Sequence, residues 1–215
     1  VPAGHDIVCF GWYEHVCLDW YLSAGRRHAA VVVDDTDDAV VGYALMCADE
    51  RSFNRWTSRA IGRTAAVVLW KLVTGRLDRR SIAFWWQRTR DAVELRRGHA
   101  QPQARAHVHM NVRAGNRSGG ASLRLLAFLD ECAVAAGEPR WYGEINTFDE
   151  SRVRALQRLG LDVVHRSPNM TLSKYFGRPV ERLTVVRDVQ RSSTLEAGTL
   201  SASKKAMNSL RDPLR

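Results

Sequence analysis

The sequence predicts an α/β fold of the α+β type, in which strands form a sheet and helices cover it. Two β-branched runs at 29–33 and 40–47 enclose an acidic turn, which predicts a β-hairpin. Strand-like and helix-like patterns alternate over 106–164, and 182–186 has the pattern of an antiparallel partner for the last strand. Between these two regions, 50–104 has a helical pattern and predicts an insert.

The remaining elements follow from apolar spacing and from the glycines that end each run. Apolar residues recur at helical spacing over 5–24, and Gly25 ends that helix. The insert contains a basic amphipathic helix that ends near Gly75, followed by a second helix at 81–97. The later part of the chain is predicted to contain a strand at 106–112, a helix at 122–136, a strand at 141–146, a helix at 149–159 and a strand at 161–164.

The composition separates one folded region from a tail. Residues 1–187 carry regular apolar periods and predict one domain that includes the insert. From 188 to 215 the chain is rich in Ser, Thr, Ala and Lys and has no apolar period, so we expect a disordered tail. An apolar fraction of 45% in 215 residues is enough for a sizeable core without disulfides or structural metals.

Charge and cysteine content restrict the function classes. The formal net charge of +9 favours an anionic partner, such as a phosphorylated cofactor, nucleic acid or an anionic membrane surface. The sequence has no helix-turn-helix, zinc-finger or RNP motif, so we expect no specific nucleic-acid binding. The four cysteines are widely spaced without a C-x-x-C pair, which is typical of a reduced, cytoplasmic protein. No apolar run is long enough for a transmembrane segment.

A strand followed by a glycine-containing turn and a helix is the main candidate for ligand binding. The turn at 113–120 can point consecutive backbone N–H groups at an anion, and the next helix adds its unpaired N–H groups and its dipole. Gly119 and Gly120 have no side chains to keep a phosphate away, and Arg117 can add a charged contact. The turn lacks both the Walker G-K-[ST] and the dinucleotide G-x-G-x-x-G motif. A plain tight turn is the alternative interpretation.

The order of these motifs resembles the GNAT superfamily of acyl-CoA N-acyltransferases. The segment Arg117-Ser-Gly-Gly-Ala-Ser122 is similar to the family's R/Q-x-x-G-x-G/A turn, and Leu125-Leu126 matches the paired leucines that follow it. Leu159-Gly160-Leu161 is similar to a later L-G-F segment, and Gly42-Tyr43 to an earlier v-v-G-y strand. The resemblance implies the GNAT fold, which is a central mixed, mostly antiparallel sheet with helices on both faces.

The resemblance also implies a reaction and a cofactor site. A family member transfers an acyl group, most often the acetyl group of acetyl-CoA, to an amine of a small molecule or a protein. The motif turn holds the coenzyme A pyrophosphate, and the motif strand contacts the pantetheine where that strand and the next one part. The cofactor-binding residues implied here are Met110, Asn111, Val112, Arg117, Ser118, Gly119, Gly120, Ala121, Ser122 and Asp149.

Three positions depart from the family pattern. Ser122 stands at the last motif position in place of Gly or Ala, and Asp149 stands where Asn often begins the late helix. Leu156 stands where many members carry a tyrosine that protonates the leaving thiolate, so the usual general acid is missing. Tyr142 and Tyr43 are the candidate replacements, and protonation of the thiolate by water is the third alternative.

Two kinds of residue are candidates for the base that deprotonates the amine. Glu144 lies in an otherwise apolar strand, where a raised pKa would suit a base, and its alternative role is a structural ion pair with an arginine. His107 and His109 share one strand face by the period of two, and their alternative role is a hydrogen-bonded core pair. No third ligand at a suitable spacing accompanies them, so no metal site is predicted.

The insert and the overall activity each allow more than one interpretation. The insert is rich in tryptophan, and we expect it to cover the acceptor pocket, to extend the core or to form a homodimer contact. A GNAT-like domain that binds acyl-CoA without catalysis is one alternative function, which Leu156 favours. A basic nucleic-acid-binding protein is another, based on charge alone.

Overall fold

The computed structural model describes residues 7–98, 104–116 and 120–189. The strands in these residues are β1 (Ala29–Val33), β2 (Val40–Cys47), β3 (Ala106–Val112), β4 (Arg140–Thr147), β5 (Asp162–Pro168) and β6 (Glu181–Asp188). They form one sheet in the order β1-β2-β3-β4-β6-β5. Only β3 and β4 are parallel neighbours among these strands, and every other neighbouring pair is antiparallel. The predicted mixed, mostly antiparallel sheet is therefore confirmed.

Helices cover both faces of this sheet, as predicted. They are α1 (Phe10–Leu22), α2 (Glu50–Val73), α3 (Arg79–Gly98), α4 (Gly120–Ala135), α5 (Glu150–Arg158) and α6 (Met170–Phe176). The sequence analysis did not predict α6, because seven residues are too few to show a helical period. Its start is nevertheless marked by a good N-cap, since the Asn169 side chain accepts a hydrogen bond from Leu172 N–H at 3.0 Å.

One face of the sheet packs against α4 and α5, and we call it the α4 face. Successive strand residues point to opposite faces, so the apolar residues at even positions of β2 and β3 share this face with the odd positions of β4 and β6. The core on this side includes the buried residues Ala44, Met46, Val108, Leu125, Leu126, Leu129, Trp141, Leu156, Leu183 and Val185. This continuous apolar layer fixes the positions of β3 and β4.

The opposite face, which we call the site face, packs against α1 and the first turns of α2. Its core is smaller and more aromatic. It is formed by Trp20, Tyr21, Leu45 and Cys47, with Leu18, Ala29, Tyr43, Phe53 and Trp56 packed around them. Phe53 and Trp56 belong to the predicted insert, so the insert helix packs onto α1 over this face.

The folded chain extends slightly past the predicted start of the tail. Asp188 is the last residue of β6, and its carboxylate pairs with Arg140 at 3.1 Å. Val189 is buried and donates its backbone N–H to Pro139 O at 3.0 Å. The rest of the predicted tail, 190–215, lies outside the described residues. None of the helices in the described ranges has the length and hydropathy needed to cross a membrane.

Candidate active site

The centre of the sheet opens where β3 and β4 part. The two strands pair at Ala106 with Trp141, at His107 with Tyr142 and at Val108 with Gly143. Within the described residues, the edge of β3 that faces β4 has no strand partner from His109 to Asn111, although its other edge stays paired with β2 through Val112. Backbone groups along an unpaired edge need other hydrogen-bond partners, so an extended ligand can bind there. The parting implied by the sequence resemblance is confirmed.

The N-terminal part of α4 lies at the end of β3, because Leu125 and Val112 both border Gly42 of β2. The helix begins at Gly120, a few residues beyond the end of β3, so its first unpaired N–H groups and its dipole favour an anion. A side chain added at Gly120 would meet no atom of the described residues within 4 Å. Packing therefore does not require a glycine here, whereas close approach of a phosphate does. Arg117, Ser118 and Gly119 lie outside the described residues.

The other implied cofactor residues are placed as follows. Met110 packs against the α4-face core and Val112 is buried in it, so these two can reach the opening through their backbones. Asn111 points to the site face and is exposed. Ala121 and Ser122 are half-buried in the first turn of α4. This arrangement fits a phosphate at the helix end and a chain laid along β3.

Asp149 has a structural role that accounts for it without a ligand. Its side chain caps α5 by accepting the backbone N–H of Arg152 at 3.1 Å, and it also accepts a hydrogen bond from the Ser151 hydroxyl. These hydrogen bonds hold the pKa of Asp149 below its usual value, so the carboxylate stays charged. A cofactor contact of Asp149 would have to coexist with this cap.

Glu144 lies at the opening but not in the apolar setting that the sequence predicted. It follows Gly143, the last β4 residue paired with β3, and its side chain retains 33% exposure. Because strand residues alternate, Tyr142 and Asn146 share its face, while the apolar neighbours face α4. The carboxylate Oε2 lies 3.7 Å from Nε of Arg182 on β6. The alternative prediction, an arginine partner, describes the surroundings of Glu144 better.

The two histidines share the site face, as predicted, and their ring centroids are 4.6 Å apart. His107 is held by two neighbours. Its Nδ1 lies 3.1 Å from the Tyr21 hydroxyl, and its ring stacks on Tyr142 with centroids 4.9 Å apart. Burial, followed by the charge of His109, lowers the pKa of His107 to about 3. His107 is therefore neutral at physiological pH and fixed in orientation.

His109 is the histidine closer to the opening. Burial lowers its pKa, and the charge of Glu144 acts in the opposite direction. The edge of its ring meets Tyr21, with centroids 5.2 Å apart. The structure thus brings Glu144, His107 and His109 into one cluster beside the parted strands. The residues that the structure describes contain no group of three side chains suited to hold a metal ion.

Several tyrosine hydroxyls surround this cluster, whereas α5 supplies none. Leu156 is buried in the α4-face core. Burial raises the pKa of Tyr142 to about 12, and it also raises the pKa of Tyr43. Both keep their protons at neutral pH. Tyr142 stacks directly on His107, and Tyr43 lies on β2 opposite Asn111. Of the two candidate replacements for the missing acid, Tyr142 is the one in contact with the histidine pair.

Sequence reasoning missed three further residues of this site. Tyr21 contacts both histidines from α1, and Phe53 of the insert lies 6.1 Å from the His107 ring. Arg182 lies beside Glu144 on β6. The signal for Arg182 was present, because it is a charged residue next to a strongly apolar strand, as Glu144 is. No local pattern distinguishes Tyr21 or Phe53 from ordinary packing aromatics.

Comparison with known proteins adds a likeness in three dimensions. No protein-family model matches the sequence, and no curated protein matches it. The solved structure of SsHAT is 19% identical with a TM-score of 0.52, and the match covers 83% of this chain and 81% of that one.

Other matches are weaker. The putative acetyltransferase yncA of Salmonella typhimurium, solved with acetyl-CoA, is 15% identical with a TM-score of 0.43, over 80% of this chain and 72% of that one. Ribosomal-protein-alanine N-acetyltransferase of Brucella melitensis is 16% identical with a TM-score of 0.41, over 79% and 75%. At sequence identities this low, a structural match is evidence about the fold alone. Together with the strand order and the parting of β3 and β4, the likeness to SsHAT shows that this chain has the GNAT fold.

Proposed function

We propose that this chain is an acyl-CoA-dependent N-acyltransferase, and that it transfers the acetyl group of acetyl-CoA to an amine. The observation that carries the proposal is the opening between β3 and β4. Gly120 at the start of α4 adjoins one side of it, and Glu144 and His109 lie on the site face beside it. The fold alone does not determine the activity. The proposal is supported by a helix N-terminus suited to an anion and a carboxylate that can accept a proton, both beside the parted strands.

Different residues would hold the two parts of the cofactor, the pyrophosphate and the pantetheine arm. The turn Arg117–Gly119, the free N–H groups at Gly120 and Ala121, and the Ser122 hydroxyl would hold the pyrophosphate. The backbone of Met110, Asn111 and Val112 would hold the pantetheine arm. Bound there, acetyl-CoA supplies an acyl group activated as a thioester.

The side chains of the site face would then accept and donate the protons of the reaction. Glu144 removes one proton from the ammonium group of the acceptor, which frees the nitrogen lone pair to attack the acyl carbon. The new C–N bond forms as the C–S bond breaks. The nitrogen loses its second proton to water as the amide forms, and the thiolate takes up a proton from water or from Tyr142, which water then reprotonates. Neutral His109 adds no further positive charge beside the ammonium group.

A domain that binds acyl-CoA without turnover is the second candidate. One observation favours it: Leu156 is packed in the α4-face core, so position 156 offers no hydroxyl to the leaving thiolate. The two candidates share the binding step and differ in whether any amine promotes thiol release. A thiol-release assay over a panel of amines therefore separates them.

The binding step is tested with acetyl-CoA and two glycine variants. Gly120→Leu should abolish binding, because the new side chain fills the space at the helix end. Gly62→Leu is the matched control, since Gly62 is also a helical glycine with open space around it, but in α2. Arg117→Ala should weaken binding by about 1.5–3 kcal/mol, the usual size of a charged hydrogen bond. If Gly120→Leu binds acetyl-CoA as the unmodified chain does, the cofactor site is elsewhere.

A further inference from the structure

Strand β6 contains two buried arginines that differ in their partners. The side chains of Arg182 and Arg187 are each only 7% exposed. They are five residues apart on one strand and therefore point to opposite faces of the sheet. Arg187 faces α4, and Arg182 faces the site. This pair provides an internal comparison between an arginine that serves the fold and one that serves another purpose.

Each nitrogen of the Arg187 guanidinium donates a hydrogen bond within the fold. Its Nε donates to both carboxylate oxygens of Asp130, at 3.0 and 2.9 Å, and its second terminal nitrogen donates to Oδ2 at 2.8 Å. Its remaining nitrogen donates to the carbonyl oxygen of Leu159. A buried cation satisfied in this way holds α4, β6 and the end of α5 together. Each of the three guanidinium nitrogens of Arg187 thus has a partner within the fold.

Arg182 shows the opposite pattern. Its one ion pair among the described residues is with Glu144, at 3.7 Å from Nε to Oε2, which is longer than a hydrogen bond. Its guanidinium donates no hydrogen bond within that part of the chain. A guanidinium has five N–H donors. Within the described residues no Arg182 nitrogen is both fully buried and unpaired, so these donors reach solvent and are available to an anion besides Glu144.

Arg88 of α3 lies near Tyr13, as Arg182 does, but Arg88 has other partners. Arg88 of α3 has its own carboxylate, because its NH1 lies 3.8 Å from Oδ2 of Asp91. Its guanidinium also lies over the Tyr13 ring, 5.0 Å from the centroid. Of Arg88, Arg182 and Arg187, Arg182 is therefore the residue whose guanidinium donors are available to a ligand.

We propose that Arg182 binds a carboxylate of the acceptor, and that the acceptor is an α-amino acid. This inference rests on the proposed function, because it places the acceptor amine at Glu144. A carboxylate and an ammonium on one carbon are adjacent opposite charges, and Glu144 and Arg182 are adjacent opposite charges in the complementary order. The ammonium group then meets Glu144 while the carboxylate meets the Arg182 fork. The product is an N-acetyl amino acid, with coenzyme A released as the thiol.

The position of Arg182 agrees with this assignment. Arg182 pairs across the strands with Asn146, and Thr184 pairs with Glu144, so all four share the site face. The Asn146 side chain is fixed by Asn169 Nδ2 at 2.8 Å, and that residue caps α6. The amine of an amino acid held by Arg182 would thus lie toward Glu144 and the parted strands, where the acyl group would be.

The test compares each amino acid with its own amide. Calorimetry on the full chain with coenzyme A present uses the standard protein amino acids and their carboxamides as probes. At least one acid should bind about tenfold to a hundredfold tighter than its amide, the equivalent of one charged hydrogen-bond pair. Arg182→Gln should remove this preference, and Arg182→Lys should restore part of it. Arg166→Gln, a variant of an exposed arginine on β5, should retain it.

The outcomes distinguish this inference from the function on which it rests. Equal binding of acid and amide, absence of binding by every acid, or a preference retained in Arg182→Gln would each overturn it. The acid and amide comparison in the unmodified chain decides the matter even if Arg182→Gln does not fold. If amines without a carboxylate are acetylated and Arg182→Gln is neutral, the proposed function stands and this inference is wrong. If acetyl-CoA does not bind at all, the proposed function is wrong, while binding of an acid over its amide would still support the role of Arg182.

Discussion

The two faces of the sheet are built from the same strands and differ in almost every other respect. On the α4 face, Leu129 and its neighbours form an apolar layer, and each nitrogen of the buried cation Arg187 donates a hydrogen bond to Asp130 or Leu159. On the site face, His107 stacks on Tyr142, and Arg182 forms an ion pair with Glu144 at 3.7 Å. The comparison teaches that alternation along a strand lets one sequence build a rigid support and a chemical site back to back.

The physical reason is that burial of apolar groups lowers the free energy of the folded chain, whereas burial of ionisable groups raises it. Apolar burial stabilises the fold without direction, so the α4 face tolerates no unpaired polar group. The site face keeps ionisable groups that would be better solvated in an unfolded chain, and the support behind them offsets that cost. Substitutions on the α4 face should therefore change stability, and those on the site face should change reaction rate.

The largest expected effect concerns the reaction rate. Glu144→Gln keeps the shape of the side chain but removes its ability to accept a proton, so turnover should fall by roughly 10²–10⁴. Acetyl-CoA affinity should stay within a few-fold, since Glu144 faces away from the helix end at Gly120. The measurement is steady-state thiol release together with calorimetric binding of acetyl-CoA.

Two controls sharpen the assignment of the base. Glu181→Gln removes an exposed β6 carboxylate that pairs with Arg166, and turnover should not change. The double variant His107→Gln with His109→Gln should lose less than about tenfold if these histidines only orient their neighbours. Normal turnover in Glu144→Gln with a dead double-histidine variant would transfer the role of base to the histidines.

The next effect concerns stability and the α4 face. Leu129→Ala should lower the free energy of unfolding by about 2–5 kcal/mol, because Leu129 is fully buried and its removal leaves a cavity. Leu123→Ala on the same helix is the control, because Leu123 is 55% exposed and its loss should cost at most about 0.5 kcal/mol. Chemical denaturation of both variants measures the difference. Equal losses would show that α4 does not have the buried face described above.

The smallest effect is a pH dependence of stability that originates on the site face. Burial lowers the pKa of His107 from its usual 6.5 to about 3. At a pH between these two values, the histidine is protonated in the unfolded chain and neutral in the folded chain. Stability should therefore fall as the pH drops below 6.5. From pH 7 to pH 5 the expected loss is about 1–2 kcal/mol.

Denaturation curves of the unmodified chain and of His107→Gln at both pH values measure this term. The variant should lose less stability on acidification than the unmodified chain does. The same slope in both would mean that water reaches the His107 ring freely.

Much of the fold could be predicted because its elements have clear periods. β1, β2 and β3 were predicted with the bounds that the structure shows, since β-branched runs and turns mark them locally. The N-cap Asn169 marks α6, but seven residues show no helical period. The end of β6 was placed too early, because the burial of Val189 depends on Pro139, which is distant in sequence.

The site could be predicted only in part, for a similar reason. The placement of His107 and His109 on one face of the sheet could be predicted, because spacing along a strand fixes the face on which residues lie, while the catalytic roles of these residues and of Glu144 stay predictions. The apolar setting expected for Glu144 was wrong, since neighbours in sequence point away from it and the neighbours in space come from β6. Tyr21 and Phe53 reach the histidines from other elements, and no local signal indicates such contacts.

The Tyr21 to His107 contact also has a consequence for the order of folding. It joins residues 86 positions apart, and the Asp91 contact to Thr171 joins residues 80 apart. On the other face, Trp141 reaches Asp130 across only 11 residues. Contacts that close long loops form late and give way early, because their entropy cost is met only after the local structure exists. The chain should therefore be able to open its site face, with α1 and the insert, while β3, α4 and β4 stay folded, so that the contacts of Tyr21 are lost at milder denaturation than the sheet itself.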